Sequence, residues 1–386
     1  MTSFTESEER QTLRREVTKL ASTYGREYFT RCARNGDKTT DLWLAIGKAG
    51  YLGINIPEEY GGGSGGIGDV AAVCEELAAQ GCPLLMMVVS PAICGTVITR
   101  FGTEEQKQRW LPGICDGTET MAFAITEPDA GTNTHNITTT ARRDGDEWLL
   151  KGQKIYISGV DEAKNVLVVA RAQDAKTGKL KPCLFVVPTD AEGFEYTAIP
   201  MEIVSPEQQF QVFIDDVRLP ADALVGDEDA GMVQLFAGLN PERIMAASFS
   251  TGLARYALDK ATDYVKTREV FGAPIGSHQG LAHPLAQSKI EIELARLMTQ
   301  KAAALYEEGD DMGSGEAANM AKYAAAEAAC DAADRAVQAH GGNGITQEYG
   351  VAGLLVAARA GRIAPVSREM ILNFVGMHSL GLPKSY

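Results

Sequence analysis

Three kinds of hydrophobic pattern follow one another along the chain. Up to about residue 118, apolar residues recur at helical spacing, as in ESEERQTLRREVTKLAS at 6–22. From about 119 to 225 the pattern changes to short alternating or β-branched runs, such as EWLLKGQKIYIS at 147–158, separated by turn residues. Helical spacing returns from about 226 in Ala-rich segments. The pattern predicts an α+β protein with a helical domain at 1–118, a β domain at 119–225 and a helical domain at 226–386.

The length and charge of the chain narrow its class and its partners. A chain of 386 residues is expected to form two or three domains. Its net charge of −15 repels nucleic-acid phosphates and anionic lipid, so we expect neither as a partner. The apolar run LLMMVVSPAICGTVI at 84–98 is interrupted by Ser90 and Pro91 and is too short to cross a bilayer. It predicts a buried helix.

The cysteines and the N-terminal residues indicate a compartment. The seven cysteines are scattered and contain no C-x-x-C pair, which favours reduced thiols over a disulfide framework or a zinc site. The polar, acidic start of the chain resembles neither a secretory signal nor a transit peptide. We therefore expect a cytoplasmic protein.

Short motifs for common enzyme classes do not account for this chain. GGGSGG at 61–66 formally satisfies G-x-G-x-x-G, but helical sequence on both sides predicts a loop instead of a dinucleotide fingerprint. His278, His283 and His340 lack metal-ligand spacing, so no metal site is expected. With no nucleophile elbow or Walker loop either, redox chemistry would need a bound organic cofactor.

Six segments, taken in order, resemble the acyl-CoA dehydrogenase family. They are GYLGINIPEEYGG at 50–62, MAFAITEPDAGTN at 121–133, GQKIYISG at 152–159, FIDDVRLPADALVG at 213–226, TREVFGAPIGSHQ at 267–279 and QAHGGNGI at 338–345. The resemblance covers nearly the whole chain. It implies an N-terminal helical domain, a middle β-barrel-like domain and a C-terminal four-helix bundle, which is the order already predicted by the hydrophobic pattern.

The resemblance also implies FAD as the cofactor. Family motifs place one group of residues at the flavin ring and ribityl chain and a second group at the diphosphate and adenosine, partly across a subunit boundary. The first group is Phe123, Ile125, Thr126, Gly131, Thr132, Tyr156 and Ser158, and the second is Arg268, Phe271, Gln279, Gln338, Gly341 and Gly342.

Individual members of these groups have simpler interpretations. Tyr156 stands where the family usually has Trp, and its alternating strand is also compatible with an ordinary core aromatic residue. Gln279 taken alone fits a solvated turn, and Arg268 taken alone fits the end of a helix, where a cation interacts favourably with the dipole.

The reaction that the resemblance implies needs a carboxylate base. Such enzymes remove a proton from Cα of a thioester while Cβ passes a hydride to flavin N5. Most of the family carries this base near the C-terminus, where the present chain has RIAPVSREM at 362–370 and puts Pro365 at the base position. Relatives that act on isovaleryl or long-chain thioesters instead carry Glu before Arg on a helix. LNPERIMAA at 239–247 matches them, which makes Glu242, before Arg243, our candidate base.

Local sequence around Glu242 predicts opposing effects on its pKa. Pro241 favours the first turn of a helix, so we expect Glu242 near a helix N-terminus, where the dipole lowers a carboxyl pKa. Burial among Ile244 and Met245 raises it. The alternative is that Glu242 is a capping carboxylate and Arg243 a structural cation.

Glu369 is the second candidate base, but it lies one helical turn, roughly 6 Å, beyond the expected position. Pro365 raises a further question, because the family uses the N–H of its C-terminal base residue as a donor to the thioester oxygen and proline has none. Either Ala364 or Val366 is the structural equivalent, or the enzyme has one donor fewer.

The resemblance implies several partners and leaves alternative functions open. Thr132, Asn240 and Arg243 match positions that contact the CoA portion of an acyl-CoA substrate, although Asn240 also fits a helix cap and Arg243 a packing or ion-pairing role. Electrons would pass to an electron-transfer flavoprotein, and the chain would form a homotetramer. The alternatives are an enoyl-CoA reductase, an oxygen-using acyl-CoA oxidase, or a non-catalytic flavin- or CoA-binding scaffold.

Overall fold

The computed structural model describes residues 6–173, 178–228 and 231–384. Six α-helices form the described part of the first region, and the first and the sixth begin with a side-chain cap. Ser7 caps the first helix by accepting a hydrogen bond from the Arg10 N–H, and Thr103 and Gln106 form a capping box at the start of the sixth. The helices are α1 Glu8–Ser22, α2 Gly25–Asn35, α3 Thr40–Lys48, α4 Ile67–Ala79, α5 Thr96–Phe101 and α6 Glu104–Asp116.

From Met86 onward the apolar run at 84–98 forms a buried helix, as its pattern predicts. Its central part, Val88–Gly95, is a π-helix directly continued by α5. Pro91 lies inside this π-helix and has no N–H to donate, and such local widening of a helix is a recurrent feature of functional sites. No helix within the described residues is long and apolar enough to span a bilayer.

The described part of the middle region forms one eight-stranded sheet, in the order β6-β7-β3-β2-β4-β5-β8, with β1 pairing in parallel with β4. β-Branched and aromatic residues fill its buried positions, which explains why these segments form strands. The strands are β1 Thr120–Ala124, β2 Thr140–Asp144, β3 Glu147–Ser158, β4 Ala163–Gln173, β5 Leu180–Pro188, β6 Phe194–Ile199, β7 Gln209–Pro220 and β8 Leu224–Val225.

Long helices of the last region pack side by side. Buried alanines line α9 from Ala317 to Ala339, and these small side chains let α7, α8 and α10 pack closely against it. The helices are α7 Gly231–Thr267, α8 Gln279–Glu307, α9 Asp311–His340, α10 Gly353–Ile363 and α11 Arg368–Phe374, with the two-residue strands β9 Glu269–Val270 and β10 Ala273–Pro274 between α7 and α8. The predicted α+β fold, with helical, sheet and helical regions in that order, is confirmed.

A buried ionic network joins the first and last regions. Glu75 and Glu76 on α4 each bind Arg14 on α1 and Arg255 on α7, at distances of 2.6–2.9 Å. Each carboxylate has cationic partners, so the cost of burying these charges is offset. The network holds the middle of α7 against α4, and α7 also carries Glu242.

Candidate active site

Glu242 lies inside α7, thirteen residues before Arg255, where that helix meets the ionic network. The residue is half-buried. Within residues 6–173, 178–228 and 231–384, no hydrogen bond or ion pair engages its carboxylate. Burial raises the pKa of Glu242 to about 7, while the nearby charges of Arg243 and Lys322 act in the opposite direction. A carboxyl group with a pKa near neutrality and no structural partner is suited to proton transfer.

The predicted start of a helix at Pro241 is wrong. α7 begins at Gly231, so Pro241 lies ten residues inside it and Glu242 gains nothing from a helix N-terminus. The proline lacks the N–H that would bond the carbonyl of Ala237, and the hydroxyl of Tyr306 donates to that carbonyl instead, at 3.3 Å. Because this long-range contact replaces the missing bond, the helix continues through the proline.

Two further predicted residues, Asn240 and Arg243, flank Glu242 on the same helix. Nη1 of Arg243 donates to the Leu239 carbonyl and to Oδ1 of Asn240, both at 3.3 Å, and Nδ2 of Asn240 donates to the Asp311 carbonyl at 3.1 Å. Nε of Arg243 is buried with no hydrogen-bond partner in the described part of the chain, where the guanidinium also forms no ion pair. Burial lowers the pKa of Arg243. The alternative of an ion-paired structural cation therefore has no contact to support it.

The segment 364–367, between α10 and α11, carries the Pro365 that replaces the usual base. The carbonyl of Val366 accepts a hydrogen bond from Nζ of Lys322 at 2.5 Å. Glu369 is exposed in the first turn of α11, a helix capped by Ser367. A carboxylate in that position interacts favourably with the helix dipole.

The π-helix at Val88–Gly95 connects Glu242 with the first predicted flavin group. Cys94 is close enough to Glu242 for that carboxylate to raise its pKa further after burial, and its thiol donates to the Ala122 carbonyl at 3.5 Å. Ala122 precedes Phe123 on β1. Glu207 accepts N–H bonds from Leu85 and Met86 at 2.8 and 2.9 Å and so holds the start of this helix. Sequence reasoning missed Glu207, because it lies 122 residues from Leu85.

A buried ion pair holds the loop that carries Ile125 and Thr126. The carboxylate of Glu127 accepts N–H bonds from Thr138 and Thr139 and pairs with Lys154 at 2.9 Å. Nζ of Lys154 also donates to the Ile125 carbonyl at 3.0 Å. Both residues belong to the quoted motifs, yet sequence reasoning assigned a role to neither. The pair ties the residues after β1 to β3, so it orients the predicted flavin-facing positions.

Tyr156 is not the ordinary core aromatic that its alternating strand also allows. Its side chain is 57% exposed and its backbone has φ 58°, at an irregularity in the pairing of β3 with β7 between Lys154 and Ile157. A bulky residue with positive φ is strained, and such strain persists mainly at functional positions. Ser158, two residues later, hydrogen-bonds to Gln209 at 3.0 Å.

The second predicted flavin group gathers at the far end of the last helical region. Tyr264 near the end of α7 stacks on His340 at the end of α9, with ring centroids 4.3 Å apart. The C-terminal ends of these two helices therefore lie together. Phe271, between β9 and β10, is 96% exposed with φ 55°. The remaining members are Arg268, Gln279, Gln338, Gly341 and Gly342.

These two groups are far apart within one chain. Thr267, next to Arg268, lies 25 residues after Glu242 on the continuous helix α7, which corresponds to roughly 38 Å along its axis. The geometry therefore separates the second group from Glu242 and from the first group beside it.

Comparison with known proteins identifies the family. Residues 7–118, 122–216 and 229–380 match the descriptions "Acyl-CoA dehydrogenase, N-terminal domain", "middle domain" and "C-terminal domain". The chain belongs to the acyl-CoA dehydrogenase family, as its motifs predict. It is 66% identical over 385 residues to acyl-CoA dehydrogenase FadE12 of Mycobacterium tuberculosis strain H37Rv, covering 100% of this chain and 99% of that protein.

Solved structures show the same fold. Butyryl-CoA dehydrogenase from Megasphaera elsdenii superposes with a TM-score of 0.92 at 29% identity, covering 98% of this chain and 100% of that chain. A chain in the structure described as "Electron transferring flavoprotein of Acidaminococcus fermentans" has a TM-score of 0.93 at 30% identity, with the same coverage. The protein is an oxidoreductase that carries out FAD-dependent dehydrogenation of an acyl-CoA.

Features of this chain fit FAD. A Cβ at Gly131, Gly341 or Gly342 would meet no atom within 4 Å, so a ligand has room to approach these backbones closely. Tyr156 and Phe271 both present an exposed ring from a strained backbone, and an aromatic face of this kind can cover a planar cofactor.

Proposed function

We propose that Glu242 is the base that takes the α-proton of the acyl-CoA thioester. The observation that supports this assignment is a half-buried carboxylate that has no hydrogen-bond or ion-pair partner among the described residues, and burial raises its pKa to about 7. Such a group is ionised in a large fraction of molecules at neutral pH, yet weakly solvated and basic enough to accept a proton. Glu369 is exposed beside a helix N-terminus, which disfavours it as the base.

Around this base the chain supplies binding and charge. FAD, when bound, supplies the acceptor for the hydride that leaves Cβ. Glu242 accepts the proton from Cα at a carboxylate oxygen, and the positive charge of Arg243, the next residue, favours the ionised form that can accept it. Thr132, Asn240 and Arg243 bind the CoA portion. Pro365 has no N–H, so any backbone donor to the thioester oxygen from this segment comes from Ala364 or Val366.

The test is reduction of the purified holoenzyme by a panel of acyl-CoA thioesters without oxygen. Glu242→Gln should bind flavin normally, but its rate of flavin reduction, measured as bleaching of the flavin absorbance, should fall by about 10²–10⁴-fold. General base catalysis typically has this size. Glu369→Gln is the matched control and should bleach at close to the wild-type rate. Wild-type bleaching in Glu242→Gln, or its loss only in Glu369→Gln, would show that the base is elsewhere.

We also propose that each FAD is held by two subunits of a homotetramer. The Arg268 group lies roughly 38 Å along α7 from Glu242, which supports an arrangement in which a second copy brings its Arg268 group to the first group of its neighbour. An apolar stripe on α8, Ile290, Leu294 and Leu297, is 50–62% exposed and has the spacing of one helix face. Such a stripe supports burial against another copy.

Disrupting the stripe tests this arrangement. Leu294→Lys should yield a smaller species in analytical ultracentrifugation, with reduced flavin content and unchanged helical circular dichroism. Leu180→Lys, a matched change at a residue 43% exposed on β5, should keep both mass and flavin. Full flavin content in a monomeric Leu294→Lys protein would rule out a shared site.

Electron-transfer flavoprotein is the proposed electron acceptor. The similarity to a chain in the Acidaminococcus fermentans electron-transferring flavoprotein structure supports this proposal.

We also propose a cytoplasmic location. No disulfide forms among the seven cysteines, which supports a reducing compartment; they are Cys32, Cys74, Cys82, Cys94, Cys115, Cys183 and Cys330.

A further inference from the structure

Lys322 is a buried cation in the middle of α9. The residue is only 1% exposed, and its Nζ donates to the Val366 carbonyl at 2.5 Å. No carboxylate within the described ranges lies within 4 Å of Nζ to form an ion pair. An ammonium group has three N–H donors and is costly to bury without compensation, so its retention in a core of alanines needs a reason.

Three carboxylates lie near Lys322, and only that of Glu242 is neither paired with an arginine nor exposed to solvent. Glu327, on the same helix, is held by Arg362 at 2.8 Å and by Arg368 at 3.4 Å. Glu369 on α11 is exposed to solvent, which screens its charge. On α7, Arg243 repels the ammonium and Glu242 attracts it. Burial lowers the pKa of Lys322 to about 8, so the ammonium is still charged at neutral pH.

The surroundings of Glu242 lead to the same pairing. Arg243 follows it on α7, Lys322 faces it from α9, and Cys94 faces it from the π-helix. Burial raises the pKa of the Cys94 thiol far above neutrality, so that thiol is uncharged. Arg243 and Lys322 are therefore the charges that favour the ionised form of Glu242.

We propose that Lys322 is a positioning residue, which keeps Glu242 ionised and holds the 364–367 segment through its bond to the Val366 carbonyl. This inference rests on the proposed role of Glu242 as base. Proton abstraction from the substrate Cα requires the carboxylate form, whereas burial favours the neutral acid. The ammonium of Lys322 opposes that effect from a second helix. Its bond to the Val366 carbonyl connects α9 with the 364–367 segment.

The experiment compares the pH dependence of anaerobic flavin reduction in three Lys322 variants and one control variant. Lys322→Met removes both charge and donor, and Lys322→Gln removes the charge but can still donate to the Val366 carbonyl. In both, the acidic limb of the rate profile should move up by about one pH unit, with about a tenfold loss of rate below the limb and recovery above it. Lys322→Arg keeps the charge and should restore the limb. Lys301→Met, at an exposed lysine on α8, is the matched control and should leave the profile unchanged.

A second measurement does not depend on turnover. Difference infrared spectra of the wild type against Glu242→Gln follow the carboxyl band of Glu242 with pH, and the same subtraction can be made in the Lys322→Gln background. The titration midpoint should rise by the same pH unit. A uniform loss of rate at every pH, with an unmoved midpoint, would reduce Lys322 to a packing residue and overturn the inference.

The two proposals fail in different ways. If Glu242→Gln reduces flavin at the wild-type rate, the base assignment is wrong, whatever Lys322 does. If Glu242→Gln is inactive while Lys322→Met and Lys322→Gln keep the wild-type limb and midpoint, the base stands and the inference about Lys322 is wrong.

Discussion

Two buried glutamates in different regions of this molecule have pKa values shifted in opposite directions. Glu127, in the middle sheet, accepts N–H bonds from Thr138 and Thr139 and pairs with the ammonium of Lys154. Burial alone would raise its pKa, but these partners outweigh burial and hold the pKa of Glu127 at about 2. Glu242, in the last helical region, has no such partners in the part of the chain that the structure describes, and burial raises its pKa to about 7.

The difference shows that burial alone does not decide the charge of a carboxyl group. Glu207 provides a third case. It accepts two backbone N–H bonds but has no ion pair in the described residues, and burial raises its pKa to about 7 as well. The direct contact with Lys154 is what Glu207 and Glu242 lack. A fully paired carboxylate serves the structure, whereas an unpaired one is available for chemistry.

Removing the carboxylate of Glu127 should have the largest effect on stability. Glu127→Gln leaves the ammonium of Lys154 buried without its charge partner, which we expect to cost about 3–5 kcal/mol of unfolding free energy. Chemical unfolding measures this loss, and flavin content should fall with it because the pair orients Ile125 and Thr126. Glu119→Gln is the control, since it breaks an exposed pair with Lys164 and should cost no more than about 1 kcal/mol. Equal losses in the two variants would contradict the distinction.

The two carboxyl groups should make stability depend on pH in opposite directions. The folded pKa of Glu242 is raised, so its contribution is full below its ordinary pKa of 4.5 and is lost as pH rises toward 7. Between pH 5 and 7 the wild type should therefore lose roughly 2 kcal/mol relative to Glu242→Gln, after allowance for partial exposure.

The folded pKa of Glu127 is lowered, so its contribution is present above 4.5 and disappears as pH falls toward 2. The deficit of Glu127→Gln should thus stay constant from pH 5 to 7. Unfolding midpoints across this range check both statements, and parallel curves for the wild type and Glu242→Gln would show that the pKa of Glu242 is not raised.

The smallest expected effect concerns the helix that carries Glu242. Tyr306→Phe removes the donor to the Ala237 carbonyl and should cost about 0.5–1.5 kcal/mol. In Pro241→Ala the new backbone N–H can bond that carbonyl, so Tyr306→Phe should cost less in this background. An unchanged cost in the double variant would show that Tyr306 does not replace the missing bond.

Much of the fold follows from local patterns. The alternation in 147–158 predicts strand β3, and the apolar run at 84–98 predicts a buried helix, because each pattern reports the surroundings of its own segment. Pro241 shows where this fails. Its local preference for a helix start was overridden by Tyr306, which lies 65 residues later in the chain.

The candidate site was predictable in part. The Glu-Arg pair at 242 and 243 and the TEP motif stand out in the sequence, but the partners of Glu127 and the isolation of Glu242 do not. The irregularity that turns Tyr156 outward arises from pairing with β7, more than fifty residues away. Lys322 looks like one polar residue in an Ala-rich helix until α9 is packed against α7.

The amino-acid sequence by itself determined the order of the three regions, membership of the family and the pair of residues at 242 and 243. Only the tertiary structure decided which charges have partners: Glu127 pairs with Lys154, Glu242 has no hydrogen-bond or ion-pair partner among the described residues, and Lys322 binds the Val366 carbonyl in the 364–367 segment. The physical reason is the sequence distance over which each property is determined. Periodicity records whether a side chain faces the core, whereas the charge state of a buried group depends on atoms contributed by distant parts of the chain.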